Sequence, residues 1–550
     1  MNDTATPWVE GMTIGQVLSA AASRNPEGEA LVFPEAGFRC TYREYDRLVD
    51  RAAAGLLALG TRPGDHIAIW ATNWTQWPIL QLASARLGAV LVTINPAYRP
   101  EELAYVLAQA DVHTLFLIDR FKTSDYFGML RTACPELADS APGELRSDRF
   151  PELRWVVSLR ETPAAGMISW KEMLHRGEMV DRSTLVDLAS RLSPNDPINL
   201  QFTSGTTGFP KGALLSHRNL LLNAFCFAER LRATPADRIC VPVPFYHCFG
   251  CVLGTLVSLI SRGTMLVPSQ YFDPAATLDC IEKERATMIY GVPSMFIAEL
   301  GDDTFAGRDL SSLRTGIMAG SPCPVEVINR VIREMGVAKI AIGYGLTEAS
   351  PGVTLTGLDD PDSWRVETVG RAFPGVEVKI VDADGREVPE GEQGELCVRG
   401  PNVMLGYYRM PAETAEAIDP EGWLHTGDLA RRDENGCYRI TGRIKDMIIR
   451  GGENIYPREI EECLHAHPAV AEVHVVGVPD PRLGEEVCAW VKLRRGAAAA
   501  EEELRAFCRE HLAHYKIPRY VLLVDEFPQT VTGKIQKYRM REEATASLGL

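Results

Sequence analysis

Apolar runs alternate with helical patterns through the first half of the chain. Residues 66–70 (HIAIW) are mostly apolar and predict a short buried strand, and residues 76–87 carry apolar positions at helical spacing and predict a helix. The same alternation predicts a strand over 89–95, a helix over 100–109 and a strand over 114–118. Alternating strands and helices are typical of α/β proteins with largely parallel sheets.

A further helix is predicted over 41–59, where Thr41 precedes the first turn and Glu44 follows three residues later. This spacing is typical of a capping box, in which the two side chains satisfy free backbone N–H groups at the start of a helix. Residues 136–150 are rich in Asp, Ser, Pro and Gly and predict a surface loop.

The pattern changes near residue 366. Short apolar segments separated by turns, at 377–381 and 394–398, predict an antiparallel or barrel-like subdomain that ends near residue 442. Beyond it the patterns predict helices over 457–465 and 501–512 and strands over 470–476, 487–493 and 520–524. We therefore expect an α/β multidomain fold. A large N-terminal domain, residues 1–444, would contain α/β layers and the β subdomain, and residues 445–550 would form a small, mobile α+β C-terminal domain.

Composition and charge narrow the function classes. The 550-residue chain has 57 Lys and Arg against 73 Asp and Glu, a formal net charge of −16, and 46% hydrophobic residues, which is ordinary globular composition. The acidic balance argues against general binding to nucleic acid, which needs a basic surface. The longest apolar run, residues 250–260, is much shorter than the roughly 20 residues that a membrane span requires. We expect neither a nucleic-acid partner nor a transmembrane segment.

No signal or transit peptide is visible in the first ten residues, and the 13 cysteines are scattered in the manner of reduced thiols. The cytoplasm is therefore the expected location. Cys248 and Cys251 have the spacing of a metal-binding pair, but no second pair completes a zinc site, and the surrounding apolar residues favour a buried wall. His465 and His467 are expected on an exposed helix without a third ligand, which disfavours metal binding by histidine.

The strongest chemical signal is the run 203–212 (TSGTTGFPKG), which lies between strands predicted at 198–202 and 213–215. Its glycines allow successive N–H groups to converge on phosphate oxygens, and its hydroxyls and lysine add donors and a positive charge. The run lacks the GK[ST] ending of a Walker loop. A plain polar turn is the alternative, and it is disfavoured by this density of donors. The residues expected to bind phosphate are Thr203, Ser204, Gly205, Thr206, Thr207, Gly208 and Lys211.

This run resembles the phosphate-binding loop of the AMP-forming acyl-CoA synthetases, which belong to the adenylate-forming superfamily. Four further motifs of that family follow in order: GYGLTE at 343–348, GWLHTGD at 422–428, GRIKD at 442–446 and the pair Gly533-Lys534. The resemblance covers about residues 30 to 545. It implies the adenylate-forming fold and a two-step reaction. A carboxylate and ATP form acyl-AMP and pyrophosphate, and the acyl group then passes to CoA with release of AMP. It also implies Mg²⁺ as a cofactor.

The resemblance implies roles for individual residues of these motifs. Glu348 resembles the family's Mg²⁺ ligand, and a hard carboxylate oxygen suits that ion. Thr347 would donate to the α-phosphate, Asp428 would accept two ribose hydroxyls with Arg443 beside it, and Lys534 resembles the catalytic lysine. The other positions expected to bind nucleotide are Gly320, Ser321, Gly343, Tyr344 and Gly345, with the tyrosine ring stacked on adenine.

Lys445 lies where the family keeps a hinge between its two domains. After adenylation the C-terminal domain is expected to rotate, which would remove Lys534 from the site. The rotation would present Gly451 and Gly452 to the tunnel through which CoA arrives. Glycine suits such a position, because a side chain would fill a narrow passage.

Residues 244–250 (PFYHCFG) resemble the segment that borders the acyl pocket of the family. His247 is expected to take part in catalysis by gating substrate and thiol, and the pocket is expected to include Phe245, His247, Val292 and Gly343. No acidic residue occurs at 241–251, which disfavours an α-amino acid, because its ammonium group would need a carboxylate partner. The apolar and small residues of the pocket segments favour a fatty acyl chain.

The motifs are most similar to those of medium-chain acyl-CoA synthetases of the "family member 2" type, and they favour an ATP-dependent ligase for medium- to long-chain fatty acids. Three alternatives stay open. They are an adenylation enzyme that loads a separate acyl carrier protein, an aryl-CoA ligase, and a non-catalytic acyl- or nucleotide-binding protein, which the intact motif residues disfavour. The expected partners are small molecules, namely fatty acid, ATP and CoA, with a homodimer left open.

Overall fold

The computed structural model describes residues 6–203, 210–530 and 535–550. Its first large sheet has parallel strands at the centre and antiparallel strands at both edges. In spatial order this sheet consists of β18 (Arg371–Ala372), β17 (Gly352–Leu355), β16 (Lys339–Gly345), β15 (Thr315–Met318), β14 (Met288–Gly291), β12 (Arg238–Cys240), β13 (Thr264–Leu266), β1 (Glu29–Phe33) and β2 (Phe38–Thr41). Because β14, β15 and β16 are parallel neighbours, their carboxyl ends open at the same edge of the sheet.

The second large sheet is also mixed, with two antiparallel strands at one edge. In spatial order it consists of β21 (Gly406–Tyr407), β11 (Lys211–Ser216), β10 (Pro197–Thr203), β4 (Val90–Thr93), β3 (His66–Trp70), β5 (Val112–Leu117), β8 (Trp155–Ser158) and β9 (Ile168–Ser169). A short separate hairpin pairs β6 (Arg120–Phe121) with β7 (Ser124–Asp125). The antiparallel pair β10–β11 carries the two ends of the run that is expected to bind phosphate.

Helices cover the two sheets and also lie between them. Up to residue 417 they are α1 (Ile14–Arg24), α2 (Tyr42–Ala58), α3 (Gln76–Leu87), α4 (Pro100–Gln109), α5 (Tyr126–Ala133), α6 (Trp170–Gly177), α7 (Arg182–Ser190), α8 (His217–Arg230), α9 (Thr255–Ser261), α10 (Pro274–Lys283), α11 (Pro293–Leu300), α12 (Val325–Glu334), α13 (Asp362–Glu367) and α14 (Pro411–Ala417). Helix α8 contacts β17 of the first sheet and β11 of the second, so it bridges the two layers. This layered α/β architecture confirms the predicted fold class.

A four-stranded antiparallel sheet follows, as the short apolar segments predict. Its order is β19 (Glu377–Val381), β20 (Gly394–Arg399), β22 (Leu424–Arg432) and β23 (Tyr438–Arg443). The pairing of β20 with β22 is irregular between Glu395 and Cys397, and β22 pairs Asp428 with Arg443 of β23. This sheet therefore carries two of the motifs that are expected to bind nucleotide.

The C-terminal part of the chain forms its own α+β unit. Its sheet contains β25 (Glu453–Ile455), β24 (Ile448–Arg450), β27 (Gly484–Leu493), β26 (Val470–Asp480) and β28 (Tyr520–Leu523). Its helices are α15 (Pro457–His465), α16 (Glu501–His511) and α17 (Lys537–Leu548). The buried apolar residues group accordingly. A large core ends at Tyr438, and separate smaller cores begin at Ile448.

Local signals locate several elements closely. Thr41 and Glu44 form the predicted capping box at the start of α2, with the Thr41 N–H donating to Glu44 Oε2 over 2.8 Å. The predicted bounds of α3, α4 and α15 agree with the structure. Cys248 and Cys251 are buried free thiols, as the buried-wall interpretation requires.

The prediction that His465 and His467 lie on an exposed helix is wrong. Both side chains are buried rather than exposed, because α15 and the turn after it pack against the sheet and against α16. Burial lowers the pKa of His465 to about 4, so this imidazole is neutral at pH 7. The ring of His467 contacts the edge of Phe507, with centroids 5.0 Å apart. Within the described ranges, no helix combines the length and the apolar character that crossing a bilayer demands.

Candidate active site

The carboxyl ends of three neighbouring parallel strands bring predicted nucleotide and pocket residues together. Val292 follows β14, Gly320 follows β15 and Gly343 lies in β16. A Cβ on Gly320 would lie 3.1 Å from Val292 Cγ1, and the residue after Gly320, Ser321, is half-buried. Ligands of open α/β sheets bind in the crevice at this edge. The sheet therefore places these residues where a ligand would enter.

Asp428 lies at the centre of a buried hydrogen-bonded group. The Tyr344 hydroxyl donates to its Oδ2 and Arg443 Nε donates to its Oδ1, both over 2.7 Å. Asp428 is only 3% exposed. Burial and the Asp428 carboxylate raise the pKa of Tyr344 well above its ordinary value, so the hydroxyl keeps its proton and remains a donor. Both carboxylate oxygens are thereby held in fixed directions.

The chain turns sharply after Tyr344 and delivers two further motif residues. A Cβ on Gly345 would lie 1.9 Å from the carbonyl oxygen of Pro351, so only glycine allows the two backbone segments to approach this closely. A single 3₁₀ turn follows and contains Thr347 and Glu348. One strand end therefore supplies the contact to Asp428 and, four residues later, a second carboxylate.

Tyr407 connects this second carboxylate with the predicted phosphate loop. Its hydroxyl donates to Glu348 Oε1 over 2.8 Å, and the Lys211 ammonium lies 5.2 Å from the centroid of its ring. The pairing of β21 with β11, in which Tyr407 is opposite Ala213, brings these groups together. The backbone N–H of Met404 also donates to the Glu348 carbonyl oxygen over 2.8 Å. No sequence motif predicts Tyr407, because its Gly-Tyr-Tyr context resembles an ordinary strand end.

His247 and Thr347 are joined through a buried thiol. Cys248 Sγ lies 3.6 Å from His247 Nδ1 and 3.8 Å from Thr347 Oγ1. Burial raises the pKa of the Cys248 thiol to about 12. The backbone N–H of Phe249 donates to His247 Nδ1 over 3.2 Å. A neutral imidazole that accepts at Nδ1 carries its proton on Nε2.

Phe245 lies deeper than an open pocket wall. Its side chain is fully buried between Trp77 and Phe33, with ring centroids 5.4 Å and 6.4 Å away. Asn73 fixes the backbone here, because its Oδ1 accepts from the Phe245 N–H over 2.9 Å and its Nδ2 donates to the Val243 carbonyl oxygen over 3.1 Å. The role of Phe245 in an acyl pocket stays a prediction.

The two ends of the predicted phosphate loop are adjacent. Thr203 pairs with Lys211 across β10 and β11, and its hydroxyl donates to the Lys211 carbonyl oxygen over 3.4 Å. The loop thus leaves and re-enters the sheet beside Tyr407. Six predicted site residues lie outside the described residues: Ser204, Gly205, Thr206, Thr207, Gly208 and Lys534.

The residues expected to act after domain rotation lie in the C-terminal unit. Gly451 and Gly452 form the turn between β24 and β25 with φ of +60° and +90°, a conformation that favours glycine. No heavy atom lies within 4 Å of the position that a Cβ on Gly452 would occupy. Lys445 is exposed in the 3₁₀ turn Ile444–Asp446, which separates the large core from the smaller ones.

Comparison with known proteins agrees with this arrangement. Residues 18–408 match the family model of the AMP-binding enzyme, and residues 459–534 match the model of the AMP-binding enzyme C-terminal domain. The chain is 49% identical over 539 residues to YngI of Bacillus subtilis (strain 168), assigned by name to the acyl-CoA synthetases, and the match covers 98% of each chain. It is 44% identical over 546 residues to the mitochondrial medium-chain acyl-CoA ligase ACSF2 of Danio rerio, covering 98% of this chain and 90% of the relative.

A solved structure gives the same result at the level of the fold. The crystal structure of ATP-bound MatB from Rhodopseudomonas palustris superposes with a TM-score of 0.81 at 30% identity, covering 97% of this chain and 99% of MatB. The family models, the relatives and the solved structure therefore indicate the same family. The chain belongs to the family of AMP-binding enzymes.

Proposed function

We propose that the protein is an ATP-dependent, AMP-forming acyl-CoA ligase. The observation that carries the proposal is the connection of two carboxylates by one strand end: Tyr344 contacts Asp428, and four residues later Glu348 accepts from Tyr407 beside Lys211. A ribose ligand and a phosphate-binding region at this spacing suit one nucleotide. In the first step the substrate carboxylate attacks the α-phosphorus of ATP and pyrophosphate leaves. In the second step the CoA thiol attacks acyl-AMP and AMP leaves.

The residues of the chain divide this work by their chemistry. Asp428, held by Tyr344 and Arg443, accepts hydrogen bonds from the ribose hydroxyls. Lys211 offers a positive charge to the phosphates, and Thr347 offers a hydroxyl to the α-phosphate. An ammonium close to a phosphate in a partly shielded site interacts by about 4 kcal/mol at 4 Å. Lys534, from the resemblance, would supply a second cation where negative charge develops.

The donor set at Glu348 suits Mg²⁺. One carboxylate oxygen accepts from Tyr407 and the group remains a hard oxygen ligand of the kind that Mg²⁺ prefers. When bound, Mg²⁺ neutralises charge on the phosphate oxygens of ATP. Tyr407 orients the carboxylate through its hydroxyl, and Lys211 places its charge over the face of the same ring. We therefore propose Mg²⁺ as the cofactor of this site.

We propose a medium- to long-chain fatty acid as the acyl substrate. The segment 241–251 contains no carboxylate that could hold an ammonium group, and Phe245 and Val292 are buried and apolar. The name of the relative ACSF2, medium-chain acyl-CoA ligase, supports the shorter part of this range. An enzyme that loads a carrier protein and an aryl-CoA ligase remain the alternatives.

The two-domain division is also part of the proposal. Residues 1–444 would form the adenylation domain and residues 445–550 the mobile domain, with the hinge at Lys445. The separate apolar cores on either side of the turn Ile444–Asp446 support this division.

The free thiols support a reducing location such as the cytoplasm. A homodimer is tested by light scattering of the purified chain.

The decisive experiment measures AMP release with ATP, Mg²⁺ and CoA over a panel of carboxylic acids from C2 to C18, with aryl acids included. Thiol-dependent AMP release that peaks with fatty acids of medium length supports the proposal. Turnover with purified acyl carrier protein but not with CoA would replace it by the carrier-loading function. Preference for the aryl acids would favour the aryl-CoA ligase. No pyrophosphate exchange with any acid would leave a non-catalytic binding protein.

A further inference from the structure

Asp428 lies in a bulge of its own strand. In the pairing of β20 with β22, Cys397 is opposite His425, but Glu395, two residues away, is opposite Leu429, four residues away. Three residues of β22, including Gly427 and Asp428, are therefore opposed by one residue of β20. Bulges of this kind re-aim side chains beside active sites. Here the bulge contains Asp428, whose carboxylate oxygens accept from Tyr344 and Arg443.

The backbone of this bulge has little intrinsic preference for one shape. Gly427 has φ of +68°, and no heavy atom lies within 4 Å of the position that its Cβ would take, so glycine flexibility and open space meet at the same residue. Contacts with neighbouring residues therefore fix the bulge, and one of them is the pairing of Asp428 with Arg443 of β23. Inside it, the Thr426 hydroxyl donates to the Leu396 carbonyl oxygen over 2.6 Å and accepts from the Asp428 N–H over 3.1 Å.

Glu395 supplies a contact on each side of the glycine. Its Oε1 accepts from the Gly427 N–H over 2.9 Å, and its Oε2 lies 2.9 Å from His425 Nδ1. One carboxylate therefore binds the backbone within the bulge and the side chain at its entrance. Hydrogen bonds to an ionised acceptor are stronger than neutral ones, and removing the acceptor leaves a backbone N–H without a partner.

We propose that Glu395 is a positioning residue for ribose recognition: it holds the 425–428 bulge, and through it aims Asp428 at the ribose hydroxyls. This inference rests on the proposed function, which makes Asp428 a nucleotide ligand. Glu395 itself does not touch the nucleotide. The Glu395 side chain is 19% exposed. Its strand, β20, contributes no residue to the nucleotide contacts described above.

The test compares two nucleotides that differ only at the ribose. ATP and 2′,3′-dideoxyATP are titrated by isothermal calorimetry into the wild type, Glu395→Ala and Glu395→Gln. Glu395→Ala is expected to weaken ATP binding about tenfold, or about 1.4 kcal/mol, because a charged acceptor of the Gly427 N–H is lost. Binding of 2′,3′-dideoxyATP should not change, because the contact that Asp428 makes is already absent. Glu395→Gln keeps an acceptor for the Gly427 N–H and should lose less.

Two controls separate positioning from general damage. Glu377→Gln removes an exposed carboxylate from the neighbouring strand β19 of the same sheet, where it pairs with Arg399, and it should bind both nucleotides as the wild type does. In the Asp428→Ala background, Glu395→Ala should add no further loss of ATP affinity, since both changes act through one contact. If Glu395→Ala does not fold, Glu395→Gln carries the same comparison with a smaller expected loss.

Several results would overturn the inference. Equal weakening of ATP and 2′,3′-dideoxyATP binding would mean that Glu395 supports the site as a whole rather than the ribose contact, and unchanged ATP binding would mean that it has no role.

Among the described residues, Glu395, Cys397 and His425 are also the group whose ligand atoms lie within 4.8 Å of one another. A second titration of the wild type, without added Mg²⁺, tests for a metal. If EDTA weakened ATP binding and Zn²⁺ restored it, a metal ion held by these three residues, and not the hydrogen bonds of Glu395, would fix the bulge. Failure of the ligase proposal is distinguishable from failure of this inference. If the protein is not a ligase, pyrophosphate exchange is absent, whereas the difference in affinity between ATP and 2′,3′-dideoxyATP is unchanged.

Discussion

At the scale of single side chains, Tyr407 has the most consequential contacts of the site. Its hydroxyl donates to Glu348 and its ring faces the Lys211 ammonium, so one residue contacts the proposed Mg²⁺ ligand and the cation of the predicted phosphate loop. Burial and the Glu348 carboxylate raise the pKa of Tyr407, which keeps the phenol protonated at physiological pH. The hydroxyl therefore remains a donor throughout the cycle, and the carboxylate keeps one orientation.

Tyr407→Phe tests this contact, because it removes the hydroxyl and keeps the ring under Lys211. We expect kcat to fall about tenfold, since a charge-assisted hydrogen bond contributes about 1.5–3 kcal/mol and about 1.4 kcal/mol is a factor of ten in rate. The Mg²⁺ concentration needed for half-maximal rate should rise. Both are measured by AMP release at varied Mg²⁺.

The adjacent tyrosine offers a matched control. The Tyr408 hydroxyl donates to Asp111 Oδ2 over 2.8 Å, which is the same kind of bond outside the site. Tyr408→Phe should leave both kcat and the Mg²⁺ dependence as in the wild type. If the two variants lost activity equally, Tyr407 would be a packing residue and its link to Glu348 would have no catalytic meaning.

Lys211→Ala isolates the charge at the end of the phosphate loop. The ammonium is half-buried and contacts the face of an aromatic ring, so its loss should not affect the core or the midpoint of thermal unfolding. We expect the KM for ATP to rise at least tenfold, since the attraction of an ammonium to phosphate in a partly shielded site exceeds the about 1.4 kcal/mol that a factor of ten requires. The exposed Lys171 of α6 provides the control variant Lys171→Ala, with unchanged kinetics. A large drop in the unfolding midpoint with unchanged KM would contradict the assignment.

At the scale of elements, helix α11 buries the carboxyl group of Glu299. Glu299 is 1% exposed, and its Oε2 has no hydrogen-bond partner among the described residues. Burial raises the pKa of Glu299 well above the ordinary 4.5. Between the ordinary and the raised pKa, the unfolded chain has lost this proton and the folded chain retains it. The free energy of unfolding therefore falls as pH rises through that window.

Glu299→Gln removes this pH dependence, because the amide has the shape of the neutral acid and does not ionise. We expect the variant and the wild type to unfold at similar temperatures at pH 4, and the variant to unfold a few degrees higher at pH 8. The measurement is calorimetry at both pH values. Glu326→Gln, in α12 with a side chain that is 42% exposed, should not change this pH dependence. A constant offset between variant and wild type at both pH values would show that Glu299 is not protonated in the folded state.

The elements that the sequence predicted well have strong local signals. Helices α4 and α15 agree with their predicted bounds because helical periodicity and a proline at the start coincide. Strands β26 and β27 extend farther than predicted, to Asp480 and from Gly484. The added residues pair across a tight hairpin and include Glu485, Glu486 and Pro479, which carry no alternating apolar signal.

The parts of the site that the sequence did not predict depend on pairing between distant segments. Tyr407 meets Glu348, 59 residues away in sequence, through the register of β21 against β11. Glu395 meets Gly427, 32 residues away, through the irregular pairing of β20 with β22. Motifs identify residues by local spacing, whereas these contacts follow from strand register, which local spacing does not encode.

At the scale of the whole molecule, the turn Ile444–Asp446 lies between separate apolar cores. A polar contact crosses this boundary, in which Arg458 Nη1 of α15 donates to the Ile440 carbonyl oxygen of β23 over 2.6 Å. A rotation about Lys445 would break that hydrogen bond and leave the apolar cores on either side intact. Interfaces of this polar kind suit domains that move relative to one another.

Separate measurement of the two half-reactions tests the proposed rotation. Lys534→Ala should nearly abolish formation of acyl-AMP and still convert supplied acyl-AMP and CoA into product, since charge develops at the α-phosphate only in the first step. Gly452→Leu should form acyl-AMP and stall before the thioester, because its side chain would enter the route of the thiol. Lys445→Pro should resemble Gly452→Leu, since a fixed φ at the hinge restricts rotation. Single-turnover kinetics, with synthetic acyl-AMP as the entry to the second step, give each rate.

Matched variants separate rotation from strain and from loss of charge. Gly496 has φ of +78° and open space around it in the same part of the chain, so Gly496→Leu imposes the backbone strain of Gly452→Leu without blocking the proposed CoA route. It should retain both half-reactions, as should Lys283→Ala at an exposed surface lysine of α10. Equal loss of both half-reactions in Lys534→Ala would contradict domain alternation, because a lysine that leaves the site after adenylation cannot be needed for thioester formation. Both reactions would then have to be assigned to one fixed arrangement of the domains.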